Sequence, residues 1–283
     1  MGSDDIVLLE EGDPNSGFRT QNLPGDKARS VLIDEGKALI LKATLVSVTH
    51  GSYTEDGDPA TLLVFEFTFI SVERARRFSS ATITLTFDDA SENLRNRPEV
   101  VAISPSGQFA INKTTSSRDL KQSVNAGLNG TVLGVGGEVG YTWETSKVEE
   151  KSHATTLIGL KRVVGGWGKD NRVIFKLDED EITKEGIPSF LRTAVLLKRR
   201  DDVPFRFTIE VDTGVDFGSK IRRLFGRKNP DAIDPVELDD ETDLEELGIT
   251  TLDPNKVDLD NMRDLNIKEQ ADVIIATLIQ VPA

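Results

Sequence analysis

The sequence predicts an all-β protein whose main body is an antiparallel β-sandwich. The clearest observation is the segment Ala60–Val72, ATLLVFEFTFISV, in which Phe65, Phe67 and Phe69 alternate with residues that point the other way. Such alternation among β-branched and aromatic residues is typical of a strand with one face in a core, and it favours strand over helix. The neighbouring segments share the pattern, so we interpret Ala60–Val72 as the centre of the sandwich.

Similar patterns predict further strands along the chain. They are Ser30–Ile33, Ala38–Val48, Ser80–Phe87, Glu99–Ile103, Phe109–Asn112, Asn171–Leu177, Leu191–Leu197 and Pro204–Val211. Tight connections join Ala60–Val72 to the strand on either side of it, so we expect these to form an antiparallel meander. Its phenylalanine rings are expected to pack between two layers against Ile83, Leu85 and Phe207. Leu191–Leu197 is more continuously apolar and is therefore expected in the middle of a sheet.

A long bent hairpin is predicted at Lys121–Val164, a segment made largely of Gly, Ser, Thr, Asn and Val. Its apolar positions change from even to odd near Gly130–Gly134. A strand cannot change face without an extra residue, so we predict a bulge or bend there. The polar run Glu144–Lys151 is interpreted as the hairpin tip, and Ser152–Val164 as the returning strand. One face of that strand is expected to carry Ala154, Thr156, Ile158 and Leu160.

The same hairpin supports an alternative function. β-pore-forming proteins fold amphipathic hairpins rich in Ser, Thr and Gly against their body and later extend them into a membrane barrel, and Lys121–Val164 resembles these in composition and length. A membrane strand needs about 9–11 residues with one apolar face. Leu133–Trp143 approaches this requirement, although Gly137 interrupts it. A bent hairpin packed into the sandwich is the other interpretation.

The sequence divides into an N-terminal arm (residues 1–36), a sandwich domain (37–212) and an acidic, partly helical C-terminal segment (213–283). The last part begins with a basic stretch, Ser219–Lys228, which we expect to form a short helix. An acidic stretch follows, with a helical turn expected at Asp243–Leu247. Apolar residues then recur at helical spacing, which predicts an amphipathic helix over Ile267–Gln280.

The composition of the chain limits which compartment and which partners we expect. The formal net charge of −14 disfavours binding to duplex DNA or anionic lipid by general electrostatics, so no nucleic-acid partner is expected. The chain has no cysteine, which excludes disulfides and cysteine-metal sites and suits a reducing compartment. No apolar run approaches the roughly 18 residues of a membrane-spanning helix, and Met1–Glu11 lacks the basic start of a signal peptide. We therefore expect a cytoplasmic protein.

No motif predicts catalysis or a cofactor. The two histidines, His50 in a predicted turn and His153 near the hairpin tip, stand in no nucleophile motif. The glycine cluster Gly134–Gly140 is embedded in a strand pattern, whereas a phosphate loop must open a helix. These observations favour a protein that is not an enzyme and that has neither a catalytic residue nor a cofactor.

Acidic loops are candidates for calcium binding. Asp56 and Asp58 lie in one predicted loop, and Asp88 and Asp89 lie in another. In calcium-binding sandwiches, loops at one end bring carboxylates together around the ion. Aspartate is also an ordinary turn residue, so the alternative is plain turn chemistry.

Two surfaces are candidates for interaction. Basic clusters at Arg74–Arg77, Lys198–Arg200 and Lys220–Lys228 (with Arg222 and Arg223) are expected to gather into a patch for an anion or an acidic partner. The acidic stretch Asn229–Asp260 is the nearest polyanion and is expected to lie over this patch or compete for it; the alternative is scattered solvated charge. The apolar side of the terminal helix, including Ile274, Ile275 and Leu278, is expected to dock on the sandwich itself or on another subunit.

The segments Thr61–Phe69, Gly165–Leu177 (GGWGKDNRVIFKL) and Gly186–Arg200 (GIPSFLRTAVLLKRR) resemble uncharacterised β-rich proteins of filamentous fungi. The resemblance covers roughly Ala38–Val211. It implies an intracellular, non-secreted setting and brings no assigned activity or catalytic residue.

The sequence therefore favours a non-enzymatic binding or self-assembly protein, acting as a homo-oligomer or with a protein partner. The alternative is a membrane-active, pore-forming-type β protein that uses residues 121–164. A third possibility is a small-ligand carrier or an enzyme with a cavity inside the sandwich.

Overall fold

Two antiparallel β-sheets pack face to face in the computed structural model, which describes residues 22, 24–36, 38–72, 76–113, 141–144, 155–165, 168–217, 221–224 and 234–274. The fold is all-β, as predicted. The strands are β1 (Val31–Glu35), β2 (Leu39–Ser52), β3 (Pro59–Ser71), β4 (Arg76–Asp89), β5 (Glu99–Ser104), β6 (Gly107–Lys113), β7 (Tyr141–Glu144), β8 (Thr155–Arg162), β9 (Arg172–Asp178), β10 (Phe190–Lys198), β11 (Phe205–Phe217), β12 (Ile221–Leu224), β13 (Val236–Leu238) and β14 (Asp272–Ile274).

The two sheets differ in size over the described residues. The six-stranded sheet has the order β1-β2-β3-β10, with β5 and β14 both paired to β10. The eight-stranded sheet has the order β12-β11-β4-β9-β8-β6-β7, with β13 paired to β11. The predicted meander is wrong, because β2 and β3 pair in one sheet whereas β4 lies in the other. Placing β4 in the second sheet makes its apolar face oppose that of β3 across the core.

The core lies between the sheets and is rich in aromatic rings. Phe65 of β3 and Phe207 of β11 meet edge to face with their ring centroids 5.5 Å apart. Ile83 and Leu85 of β4 are buried in the same cluster. The predicted packing of the phenylalanine rings between two layers is therefore confirmed, and β10 lies in the middle of its sheet as expected.

The six-stranded sheet is also covered on its outer face. A second apolar cluster there buries Leu62 and Val64 of β3 and Leu196 of β10 under Met262. The covering segment, residues 239–271, is called the strap below. It is fastened along β2, where Thr250 N donates to Val46 O (3.0 Å) and Val48 N donates to Thr250 O (2.9 Å).

Strand structure continues past Asp212, contrary to the prediction. β11 runs to Phe217, and β12 occupies Ile221–Leu224, so the short helix predicted over Ser219–Lys228 is wrong in the described part. β12 forms because its backbone pairs with β11. Asp243–Leu247 does form a turn of helical type, in which Leu247 N donates to Asp243 O at 3.4 Å.

The predicted terminal helix is wrong over the described residues. Ile267–Gln270 is a 3₁₀ turn, and Asp272–Ile274 is strand β14, which pairs with β10 so that Ile274 lies opposite Phe190. Residues with β-branched side chains fit an added edge strand as well as a helix face. Ile275 and Leu278 lie outside the described residues. No helix long and apolar enough to cross a membrane occurs in the part of the chain that is described.

The predicted hairpin at Lys121–Val164 is only partly described. β7 and β8 both pair with β6, one on each side of it, and so they do not pair with each other as a hairpin would. The predicted bulge at Gly130–Gly134 and His153 lie outside the described residues. Thr156, Ile158 and Leu160 share one face of β8 as expected, but the buried face of the strand carries Leu157 and Gly159. A Cβ atom added at Gly159 would lie 2.1 Å from Pro105 O, so no larger residue fits there.

The described part of the N-terminal arm lies beside β13. The predicted strand at Ser30–Ile33 is confirmed as β1, which pairs with β2 at the sheet edge. Arg29 Nη2 donates to Asp234 O at 3.0 Å, and Lys27 Nζ lies 2.5 Å from Glu237 Oε1. The arm therefore contacts both sheets.

Phe207→Ala is expected to lower the free energy of unfolding by about 3–5 kcal/mol, because it removes a ring from the contact between the sheets and leaves a cavity. Ile70→Ala is the control, since Ile70 is 44% exposed, and it should cost less than about 1 kcal/mol. Urea denaturation followed by tryptophan fluorescence measures both. Equal losses for the two variants would contradict the assignment of Phe207 to the core.

Candidate anion-binding site

A groove lined mainly by basic residues lies at one end of the sandwich. It has a volume of about 240 Å³ and is called the basic groove below. The loops between β4 and β5 and between β8 and β9 meet there with the end of β10. Its basic residues are Arg95, Arg97, Lys169, Lys198, Arg199 and Arg200, and its acidic residues are Asp58 and Glu99. Cationic side chains outnumber carboxylates, so the groove is suited to an anion.

Part of this positive charge is fixed by ion pairs. Lys198 Nζ lies 2.6 Å from Asp58 Oδ2, and this hydrogen bond raises the pKa of Lys198 above its ordinary value. Arg97 Nε donates to Asp88 Oδ1 at 2.7 Å. Lys169 pairs with Glu99. These pairs hold the cations in place and partly neutralise them.

Two arginines of the groove are not neutralised in this way. The guanidinium groups of Arg95 and Arg200 are exposed and make no hydrogen bond or ion pair within the described residues. Arg95 is positioned by its backbone, because its N–H donates to Asn93 Oδ1 at 3.1 Å. The same loop is held by Asp89, whose Oδ2 accepts from Asn93 N at 2.9 Å. Both guanidinium groups therefore have their donors open to a ligand.

Arg199 also lines the groove, but its side chain is only 2% exposed. Its Nη2 donates to Asp240 Oδ1 at 3.0 Å and to Asp202 Oδ1 at 3.3 Å. The guanidinium carbon lies 5.8 Å from the centroid of the Phe205 ring. Nε and Nη1 are buried and have no partner among the described residues. A buried cation needs such carboxylates, because a charge taken out of water without a partner is strongly destabilising.

His50 lies next to this ion pair. Its Nδ1 is 2.9 Å from Thr61 Oγ1 and 3.2 Å from Asp240 Oδ1, and its Nε2 is buried without a partner among the described residues. Burial lowers the pKa of His50 below its ordinary value, with Asp240 acting in the opposite direction. The predicted turn at His50 is wrong, because β2 continues to Ser52.

The arrangement around His50 does not match nucleophilic catalysis. A triad needs a nucleophile on one imidazole nitrogen and an orienting carboxylate on the other. Here Thr61 and Asp240 both contact Nδ1. The geometry therefore anchors Asp240 of the strap beside Arg199, the residue that follows β10.

The calcium candidates are distributed over different contacts. Asp58 pairs with Lys198, Asp88 pairs with Arg97, and Asp89 accepts hydrogen bonds from its own loop. Asp56 lies in a turn with a positive φ of 55°. Over the described ranges, no group of three or more His, Asp and Glu side chains is placed to hold a metal ion.

A larger groove of about 790 Å³ is lined by the β2–β3 turn and the strap and is mainly acidic. Its carboxylates include Glu55 and Asp56 of the turn and Asp258, Asp260 and Asp264 of the strap. Residues of the turn therefore line two grooves of opposite charge, and an anion is directed to the basic one.

The predicted single basic patch is wrong, because the clusters lie at opposite ends of the sandwich. Arg76 and Arg77 begin β4 and pair with the end of β11. On its other side, the same end of β11 pairs with Arg222 and Arg223 of β12. Arg77 Nε donates to Glu179 Oε2 at 2.8 Å. Lys198–Arg200 lies at the far end, in the basic groove. Arg95, Arg97 and Lys169 were not predicted as site residues, although two arginines within three residues of a polar loop are a signal that the sequence contains.

Comparisons with known proteins leave the family open. No family model and no curated protein matches the chain. A solved structure described as a pore forming protein is similar over 76% of this chain and 92% of that chain, with 8% identity and a TM-score of 0.32. The Clostridium perfringens NetB toxin in its membrane-inserted form is similar over 72% and 86%, with 9% identity and a TM-score of 0.27. These TM-scores are too low to carry an argument about this chain.

His50→Gln is expected to flatten the pH dependence of stability. In the wild type, the unfolded chain takes up a proton near the ordinary pKa of 6.5, whereas folded His50 has a lower pKa. The contribution of His50 to the free energy of unfolding should therefore be fully retained above pH 6.5. It should decrease as the pH falls from 6.5 towards the lower pKa of folded His50. Urea denaturation of both proteins at several pH values from about 7.5 to 5 measures the difference. An unchanged slope in the variant would contradict the buried, neutral assignment of His50.

Proposed function

We propose that the protein is a non-enzymatic binding protein that holds a compact anionic ligand in the basic groove. The observation that carries this proposal is the pair of exposed, unpaired guanidinium groups of Arg95 and Arg200 beside the buried Arg199. Unpaired arginines held over a concave surface supply donors that a carboxylate or phosphate group accepts.

The size of the groove and the charge of the whole chain limit the ligand. A volume of about 240 Å³ lies below the roughly 300–1,000 Å³ of sites for drug-sized ligands, which favours a phosphate group or a small phosphate monoester. The net charge of −14 opposes long polyanions. Remote acidic residues act weakly on a small anion, because at 0.1 M salt charges more than about 10 Å away are largely screened.

The placement of β7 and β8 supports a binding function over the membrane-active alternative. Both are parts of Lys121–Val164, and both pair with β6 inside the eight-stranded sheet. The prediction of a homo-oligomer depends partly on Ile275 and Leu278, which lie outside the described residues, and it stays a prediction. So does the expected cytoplasmic location.

Isothermal titration with inorganic phosphate tests the proposal. The wild type should bind saturably, and a variant carrying Arg95→Gln and Arg200→Gln should bind at least about tenfold more weakly, since hydrogen bonds to charged groups contribute about 1.5–3 kcal/mol each. Sodium chloride at equal ionic strength is the control for general screening.

A matched control variant carries Lys256→Gln and Arg263→Gln, which remove the same charge from the strap, away from the basic groove. It should keep the affinity of the wild type within about twofold. An equal loss in the two variants, or no saturable binding by the wild type, would contradict the proposed function.

A further inference from the structure

We propose that the strap regulates the basic groove, because an anion bound there competes with Asp240 for Arg199 and loosens the strap where it crosses the end of the sandwich. This inference rests on the proposed function and adds its regulation. The anion in the basic groove is a second hydrogen-bond acceptor for Arg199, and the group that it displaces is the carboxylate of Asp240.

The path of the strap makes Asp240 a crossing point. β13 pairs with β11 in the eight-stranded sheet, and the strap begins directly after it. By Thr250 the strap is bonded to β2 in the six-stranded sheet. Asp240 therefore lies where the chain passes from one sheet to the other, and its contacts with Arg199 and His50 fasten that crossing.

The two partners of this ion pair differ in exposure. The side chain of Arg199 is 2% exposed, whereas that of Asp240 is 45% exposed. Arg199 is fixed from several sides, since its backbone N–H donates to Pro59 O at 2.7 Å and its guanidinium lies against Phe205. The carboxylate at the rim is thus the partner that can leave, and the buried arginine is the one that stays.

Arg199 connects the groove to the strap. It lines the groove, and it donates from Nη2 to Asp240. Its Nε and Nη1 have no partner among the described residues. An anion in the groove brings negative charge towards the same guanidinium and repels Asp240 and Asp202. Binding of the anion and the contact between Asp240 and Arg199 are coupled, and the coupling is reciprocal. The factor by which a bound anion weakens that contact is also the factor by which removal of the Asp240 carboxylate must strengthen anion binding.

The crossing segment is anchored at each end. Asp239 and Thr242 hold their own turn, because Thr242 Oγ1 donates to Asp239 Oδ1 at 2.8 Å and accepts from Asp239 N at 3.0 Å. Beyond the crossing, Ile249 is buried in the core. The opening therefore starts inside this turn, at Asp240, and ends before Ile249; it loosens Leu244 and Leu247, which are partly buried against the core.

Asp240→Asn tests the inference, with inorganic phosphate as the probe. The variant should bind phosphate at least about fivefold more tightly than the wild type, the lower end of typical coupling factors. Asp253→Asn is the matched control: it neutralises another strap carboxylate, which contacts Asn255 and Lys256, and it should change the affinity less than twofold. Asp202→Asn removes the other carboxylate that accepts from Arg199 and leaves the strap contact with Asp240 in place.

Hydrogen exchange detected by mass spectrometry supplies the second readout. Phosphate should accelerate exchange several-fold in peptides covering residues 240–249 of the wild type and leave β4 peptides unchanged. It should have no such effect in Asp240→Asn, where the crossing is already released. If that variant does not fold, exchange in the wild type with and without phosphate carries the test.

The outcomes separate the two proposals. If the wild type binds phosphate while Asp240→Asn and Asp253→Asn behave alike and strap exchange is unchanged, the regulation is overturned and the proposed function stands. If no form of the protein binds phosphate saturably, the proposed function itself is overturned.

Discussion

The six-stranded sheet has two apolar faces, and the fold has to cover both. Its inner face packs on the eight-stranded sheet through rings such as Phe65. Its outer face carries Leu62, Val64 and Leu196, which would be exposed without the strap. Burying side chains of this kind contributes about 1.5–3 kcal/mol each. The strap is therefore part of the fold, and it has to cross from one sheet to the other.

That crossing explains the charged cluster at the end of the sandwich. β10 ends at Lys198, and the next residue, Arg199, is buried with its guanidinium group against the ring of Phe205. The strap brings Asp240 to this group, and β2 brings His50. A structural requirement thus places a buried cation next to an open groove with unpaired arginines. The same residues that fasten the strap can then respond to an anion.

The sheets could be predicted from the sequence because period-two alternation is a local signal, as in Phe65, Phe67 and Phe69. The strap could not, since Leu252, Met262 and Leu265 are spaced irregularly over turns and have no period. The terminal helix was predicted from spacing at Ile267 and later residues, yet pairing with β10 decides for a strand. The groove was missed because its residues come from separate loops, and only the fold brings them together.

Binding of phosphate by the basic groove can be observed at each arginine in side-chain ¹H–¹⁵N NMR spectra recorded during a titration with inorganic phosphate. We expect saturable shifts of the Nε–H signals of Arg95, Arg199 and Arg200 with one common dissociation constant. The signal of Arg263, which lines the acidic groove, should stay in place. Linear, unsaturated shifts shared by Arg263 would contradict the account, because they would reduce phosphate binding to general screening.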